Sequence, residues 1–134
     1  VGATDEEGRR RADQILDYSR TTPRAASQFW LPPGYTSNEV TAQMLHNRGP
    51  NMIQLRDGGE FAMQYGTVDE FINAGVAFAG NPDTVFDQIK EFYDHVGGIG
   101  HLLMMGQGGH ISHEDTVGNL TLFSKEVLPR LKDL

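Results

Sequence analysis

The 134-residue chain contains no cysteine. Disulfides, thiolate nucleophiles and cysteine-ligated zinc are excluded at once. Long hydrophobic runs are also missing. The longest clean stretch, around Leu102 to Met105, falls far short of the roughly 18 apolar residues that a membrane span needs. Clustered positive charge is scarce: the net charge is −7, and the one basic cluster, Arg9-Arg10-Arg11, follows Asp5, Glu6 and Glu7 on the same predicted helix. Such a chain is repelled by a phosphate backbone, so nucleic acid is not an expected partner, and no segment suggests a membrane. There is no internal repeat and no low-complexity tract. The opening Val-Gly-Ala turns acidic immediately, which is not the pattern of a secretory leader, so a cytoplasmic protein is expected. The chain opens without Met, and residues 1–3 read as the end of a strand that begins upstream.

What is present is a series of well-punctuated elements. Thr4 and Glu7 make a capping box for a helix over residues 5–20, with Ala12, Ile15, Leu16 and Ser19 on its apolar side. Pro23 ends it. Residues 22–67 form an insertion dense in Pro and Gly, and its aromatic residues (Phe29, Trp30, Tyr35, Phe61, Tyr65) argue for order. Within it, Glu39 to His46 suits a short helix and Met52 to Leu55 a short strand. Thr67 opens another short helix that closes at Ala74-Gly75. Gly75 to Gly80 is an apolar run bounded by glycines, as in a strand buried on both faces. Asn81-Pro82 is an N-cap followed by Pro at the first helical position. Val85, Ile89, Phe92 and Val96, broadened by Phe86 and Tyr93, form the apolar stripe of that helix, and Gly97-Gly98 closes it. Ile99 to Met105 reads as a second buried strand. Ser112 caps the last helix, whose inner face is Val117, Leu120, Phe123, Val127 and Leu131, with an end or kink near Leu128 because Pro129 cannot donate.

Strand, helix, strand, helix implies parallel strands joined by a right-handed crossover. Parallel sheets need cover on both faces and rarely exist as isolated pairs. The expected class is therefore α/β, either one part of a larger sheet or a chain that associates to complete one.

Four motifs then carry a resemblance. Ala79-Gly80-Asn81-Pro82-Asp83-Thr84-Val85 resembles the G-S/T-P-E-T-V turn of bacterial luciferase-like, flavin-dependent monooxygenases. Gly98-Ile99-Gly100-His101-Leu102-Leu103, with Met105-Gly106, resembles their last barrel strand. Phe123 with Glu126-Val127-Leu128-Pro129-Arg130-Leu131 resembles their closing helix. Val1-Gly2-Ala3-Thr4-Asp5-Glu6-Glu7 resembles the V-A-x-T-D-E-E-A segment, with Gly8 where the family usually has Ala. The motifs occur in order at both ends of the chain, and the alkanal or limonene monooxygenase-like branch is the most similar.

The resemblance implies the C-terminal part of a (β/α)8 TIM barrel. Residues 4–21 would be a helix after a truncated strand, 22–67 an insertion, and 68–134 the last two strand–helix units. It implies reduced FMN from a separate flavin reductase, O2, and a small apolar organic substrate. A deazaflavin (F420)-dependent hydride-transfer oxidoreductase on the same barrel is an alternative. So is a non-catalytic partial barrel that forms a homo-oligomer or associates with the remaining barrel portion. The catalytic His of the family lies on earlier strands, so no catalytic residue transfers to a position in this chain. Barrel sites lie on loops after the strands. That places Gln107, Gly108, Gly109 and His110 as candidate cofactor-binding residues, and Phe29, Trp30 and Tyr35 as a candidate lid over the substrate. No metal site is expected: His110 and His113 stand three apart, but no third ligand accompanies them, and two polar residues beside an N-cap explain the pattern.

Overall fold

The computed structural model describes residues 1–21, 37–40, 42 and 52–134, with the backbone alone for 18–21. The element order begins with helix α1, Asp5–Thr21. Its cap differs from the expected box by one residue. The Glu7 N–H donates to Thr4 Oγ1 at 3.2 Å, but the Glu7 carboxylate reaches back to the Ala3 N–H, at 2.7 Å. Two short strands follow, β1 (Met52–Gln54) and β2 (Glu60–Ala62), paired antiparallel with Ile53 opposite Phe61. A 3-10 turn, Met63–Tyr65, leads to α2, Val68–Asn73, which has the full Thr67–Glu70 capping box. Phe61 of the hairpin packs edge-on to the fully buried Phe71 of α2, with ring centres 5.1 Å apart. The described part of the insertion is thus ordered and joined to the helix after it.

Helix α3, Pro82–Val96, starts and stops on its own chemistry. Asn81 accepts the Thr84 N–H at 3.0 Å, Pro82 occupies the first turn, and Gly97 caps the C-terminus in the left-handed conformation (φ 79°). Val85 and Ile89 are buried, and with the fully buried Val127 they form the main core, flanked by Phe78, Phe86, Phe123 and Leu131. Helix α4, His113–Leu122, is capped by Ser112, as its sequence predicts. It continues as a π segment, Phe123–Val127, into α5, Leu128–Leu131. The π turn is how the helix meets Pro129: the Leu128 N–H reaches back five residues to Phe123 O, so the helix shifts register without breaking.

The architecture is mixed helix with a small sheet; β1 falls on the short strand expected over Met52 to Leu55, but the two buried parallel strands expected later in the chain are not there. Residues 75–80 and 99–105 are not strands of a parallel pair; among the described residues the only ladder is β1–β2. Among the described residues, 99–105 have no hydrogen-bond partner. The Ala79 backbone is served instead by the Gln88 amide, which accepts from its N–H at 2.8 Å and donates to its carbonyl at 3.2 Å. The side chains follow. Leu103 is 98% exposed and Met105 72%, so neither is core, and Met104 is also exposed. Val96, Val117 and Leu120 are exposed as well.

Candidate functional site

The concave feature of the chain is an open groove of about 930 Å³. One wall is the apolar side of α1 (Ala12, Ile15, Leu16). The opposite wall is residues 75–78 and 102–106, and the floor is Phe123, Leu128 and Leu131. Its walls are positioned by close backbone approach. Gly2 N–H donates to Gly80 O at 2.9 Å, and a β-carbon on Gly8 would lie 2.3 Å from that same oxygen. The N-terminus of α1 is also tied to that of α3, since Asp5 Oδ1 accepts the Asn81 N–H at 2.8 Å.

Two charged side chains, Arg11 and Lys132, line the groove, and the first of them is buried. Arg11 is 7% exposed, and its guanidinium meets Glu7 at 2.6 Å, Asp115 at 3.0 Å and the Val1 carbonyl at 2.7 Å. A buried cation so paired is a structural clamp between α1 and α4, with Nε, Nη1 and Nη2 each engaged. Asp115 also takes a forked contact from Arg10, with Nη2 3.0 Å away. Hydrogen bonds from Arg10 and then Arg11 hold the Asp115 carboxyl down to about 2. Asn119, equally buried, donates to Gly106 O at 2.6 Å and accepts from the Val1 amino group, so it fixes the start of the loop that follows residues 99–105. Sequence reasoning missed both Arg11 and Asn119. The available signal was Gly8, whose missing side chain lets α1 sit low enough to bury the next turn.

The loop named for cofactor binding lies elsewhere. Gln107, Gly108, Gly109 and His110 do not line the groove. Gly109, at φ +59°, rests on α1: a β-carbon there would stand 2.2 Å from Gln14 O. His110 N–H donates to that carbonyl at 3.0 Å, and its Nδ1 meets Asp17 Oδ2 at 2.8 Å. The loop is brought together with α1 rather than with a ligand space. Phe29, Trp30 and Tyr35 lie outside the described residues. No cluster of three metal-ligating side chains occurs among the described residues, and His113 is an exposed residue of the first turn of α4.

The groove suits an apolar molecule and does not suit the phosphate of a flavin nucleotide. A phosphate is commonly held by free N–H groups at a helix N-terminus. Here the N-termini of α3 and α4 already carry carboxylates: Asp5 on the Asn81 N–H, and Asp115 within the first turn of α4. The Asp5 carboxyl is held below its usual range by the Asn81 N–H and then by the Thr84 hydroxyl, so it stays charged where a phosphate would have to sit. Arg11 is buried, with its charge already paired by Glu7 and Asp115. No described helix is long and apolar enough to cross a membrane. Compared with family models, curated proteins and solved structures, the chain matches none.

Proposed function

We propose that this chain is the C-terminal part of a luciferase-like, flavin-dependent monooxygenase barrel, and that its own contribution is an apolar wall for a small organic substrate. One observation carries the reading. Three non-helical stretches (residues 1–3, 76–80 and 99–106) each precede a capped helix in the chain, and the first two are joined by the Gly2–Gly80 hydrogen bond. That is the local grammar of strand–helix units, and it falls on the residues that carry the family resemblance. Apolar side chains left open along residues 102–105 support further sheet against them. The grip on flavin phosphate, on this reading, belongs to other strands, because the groove lacks it. Reduced FMN from a separate reductase and O2 are the co-reactants, and the cytoplasm is the compartment.

The test is made on the protein at its natural genomic length. With reduced FMN and a small apolar aldehyde or alkene, the reading expects O2 uptake and incorporation of labelled oxygen into the product. Hydride transfer without O2 uptake would favour the deazaflavin F420 alternative. No saturable binding of either cofactor would overturn both. A second reading, a non-catalytic partial barrel that associates, is favoured by the unpaired backbone of residues 99–105.

A further inference from the structure

Lys132 lines the groove beside Leu128 and Leu131, and it is exposed. Every arginine whose side chain is described, and Lys90, is ion-paired with a carboxylate. Among the described residues Lys132 makes no such pair; nor does Lys125, which does not line the groove. The rest of the lining adds no negative charge. No Asp or Glu is among the described residues that form it, in a chain that carries 18 of them against 11 Lys and Arg. Arg11 is balanced by Glu7 and Asp115, and Asn119 is bonded to the Gly106 carbonyl. The groove therefore presents one uncompensated positive side chain at the edge of an apolar surface, on a protein whose net charge is −7.

We infer that the groove takes an apolar carboxylate: a molecule with a hydrocarbon body against Ile15, Leu16, Phe78 and Phe123 and a single anionic head at Lys132. The inference deepens the substrate reading given above; it rests on the apolar groove of that reading and not on flavin chemistry. Three observations select this occupant. The volume of about 930 Å³ lies in the range of small-molecule sites. The walls are apolar, so affinity comes mainly from hydrocarbon removed from water. The polar end is one ammonium on a flexible stem, which can lie along Leu128 and Leu131 while its head stays in water. A single point charge of that kind matches a monoanion. A phosphate dianion is better matched by a guanidinium fork or by free N–H groups at a helix N-terminus, and the one guanidinium in the groove is already paired.

Displacement of the neutral fluorescent probe N-phenylnaphthylamine from the 134-residue chain tests this, with octanoate and methyl octanoate as competitors at neutral pH and low ionic strength. Lys132→Met keeps an unbranched stem and removes the charge. It is expected to weaken octanoate about three- to fivefold, the worth of one exposed ion pair, and to leave methyl octanoate unchanged. Lys125→Met is expected to change neither, and circular dichroism checks that both variants fold. Octanoate binding indifferent to Lys132→Met overturns the inference and leaves the apolar groove in place. Equal weakening of octanoate and its ester also overturns it, since the stem and not the charge would then matter. So does an equal loss in Lys125→Met, which would mark a general charge effect. A chain that binds neither the probe nor either competitor overturns the inference and the apolar-wall reading together.

Discussion

Replacing Gly8 by Ala sets helix propensity against packing, and the two predict opposite signs. Gly8 lies in the interior of α1, where Ala is favoured over Gly by about 1 kcal/mol. The added methyl group, however, would stand 2.3 Å from the Gly80 carbonyl oxygen and 2.6 Å from the Gly80 carbonyl carbon and nitrogen, all of them backbone. No rotamer relieves that contact, so α1 must move by roughly 1 Å to restore van der Waals separation. Overpacking of this kind costs about 1–3 kcal/mol. The shift also strains the Gly2–Gly80 hydrogen bond, worth about 1 kcal/mol, and the Asp5–Asn81 bond beside it. Set against the propensity gain, the net expectation is a loss of about 1–3 kcal/mol. Urea unfolding followed by circular dichroism reads it, with Gly118→Ala in α4 as the comparison. There the new methyl would meet the Arg11 Nη2 at 2.9 Å, so one paired side chain and not the backbone must shift, and a smaller loss than for Gly8→Ala is expected. Stabilisation of Gly8→Ala by the full propensity gain would refute the close seating of α1 on residue 80. It would also agree with the Ala that the resembled family carries at this position.

Acid should loosen the clamp between α1 and α4. The folded pKa of Asp115, about 2, lies below the ordinary value near 3.9, so its stabilisation is present above about pH 4 and fades as pH falls through about 2. Urea midpoints measured across that window should decline in the wild type, with Asp115→Asn less stable at neutral pH but flatter; parallel curves would contradict the assignment. Phe71→Ala, at a ring with no solvent exposure packed on Phe61, should cost about 3–5 kcal/mol by the same assay. His110→Ala should cost less than about 1 kcal/mol, because the pair with Asp17 is largely exposed and the backbone bond to Gln14 survives; a larger loss would give the side chain a role beyond pinning the loop.

Local chemistry was legible in the sequence. Thr67, Asn81 and Ser112 cap the helices they were read to cap, because a side-chain oxygen beside the first free N–H groups needs no tertiary information. Gly97 closes α3 for the same reason. The hairpin was half legible: Met52 to Leu55 was read as extended, but β2 was not, although Asp57-Gly58-Gly59 is a turn signal and Gly58 takes φ +90°. The apolar segments 75–80 and 99–105 were recognised, but a ladder depends on what lies alongside, which periodicity does not encode. Gly8 hinted at the close seating of α1, but the burial of Arg11 and Asn119 follows from contacts made across 104 and 118 positions of chain. The loop of Gln107 to His110 was read as facing a ligand because barrels place loops so; what decides its position is the fit of Gly109 against α1.

The account rests on residues 99–105 having no ladder partner among the described residues. Amide hydrogen exchange of the dilute 134-residue protein, resolved residue by residue, measures this directly. Leu102 and Leu103 are predicted to exchange as fast as in an unstructured peptide, while Val85 and Ile89 in α3 are protected. Protection of residues 99–105 at the level of α3, in a monomer, would mean that a ladder already exists within the chain, and the barrel reading would lose its basis.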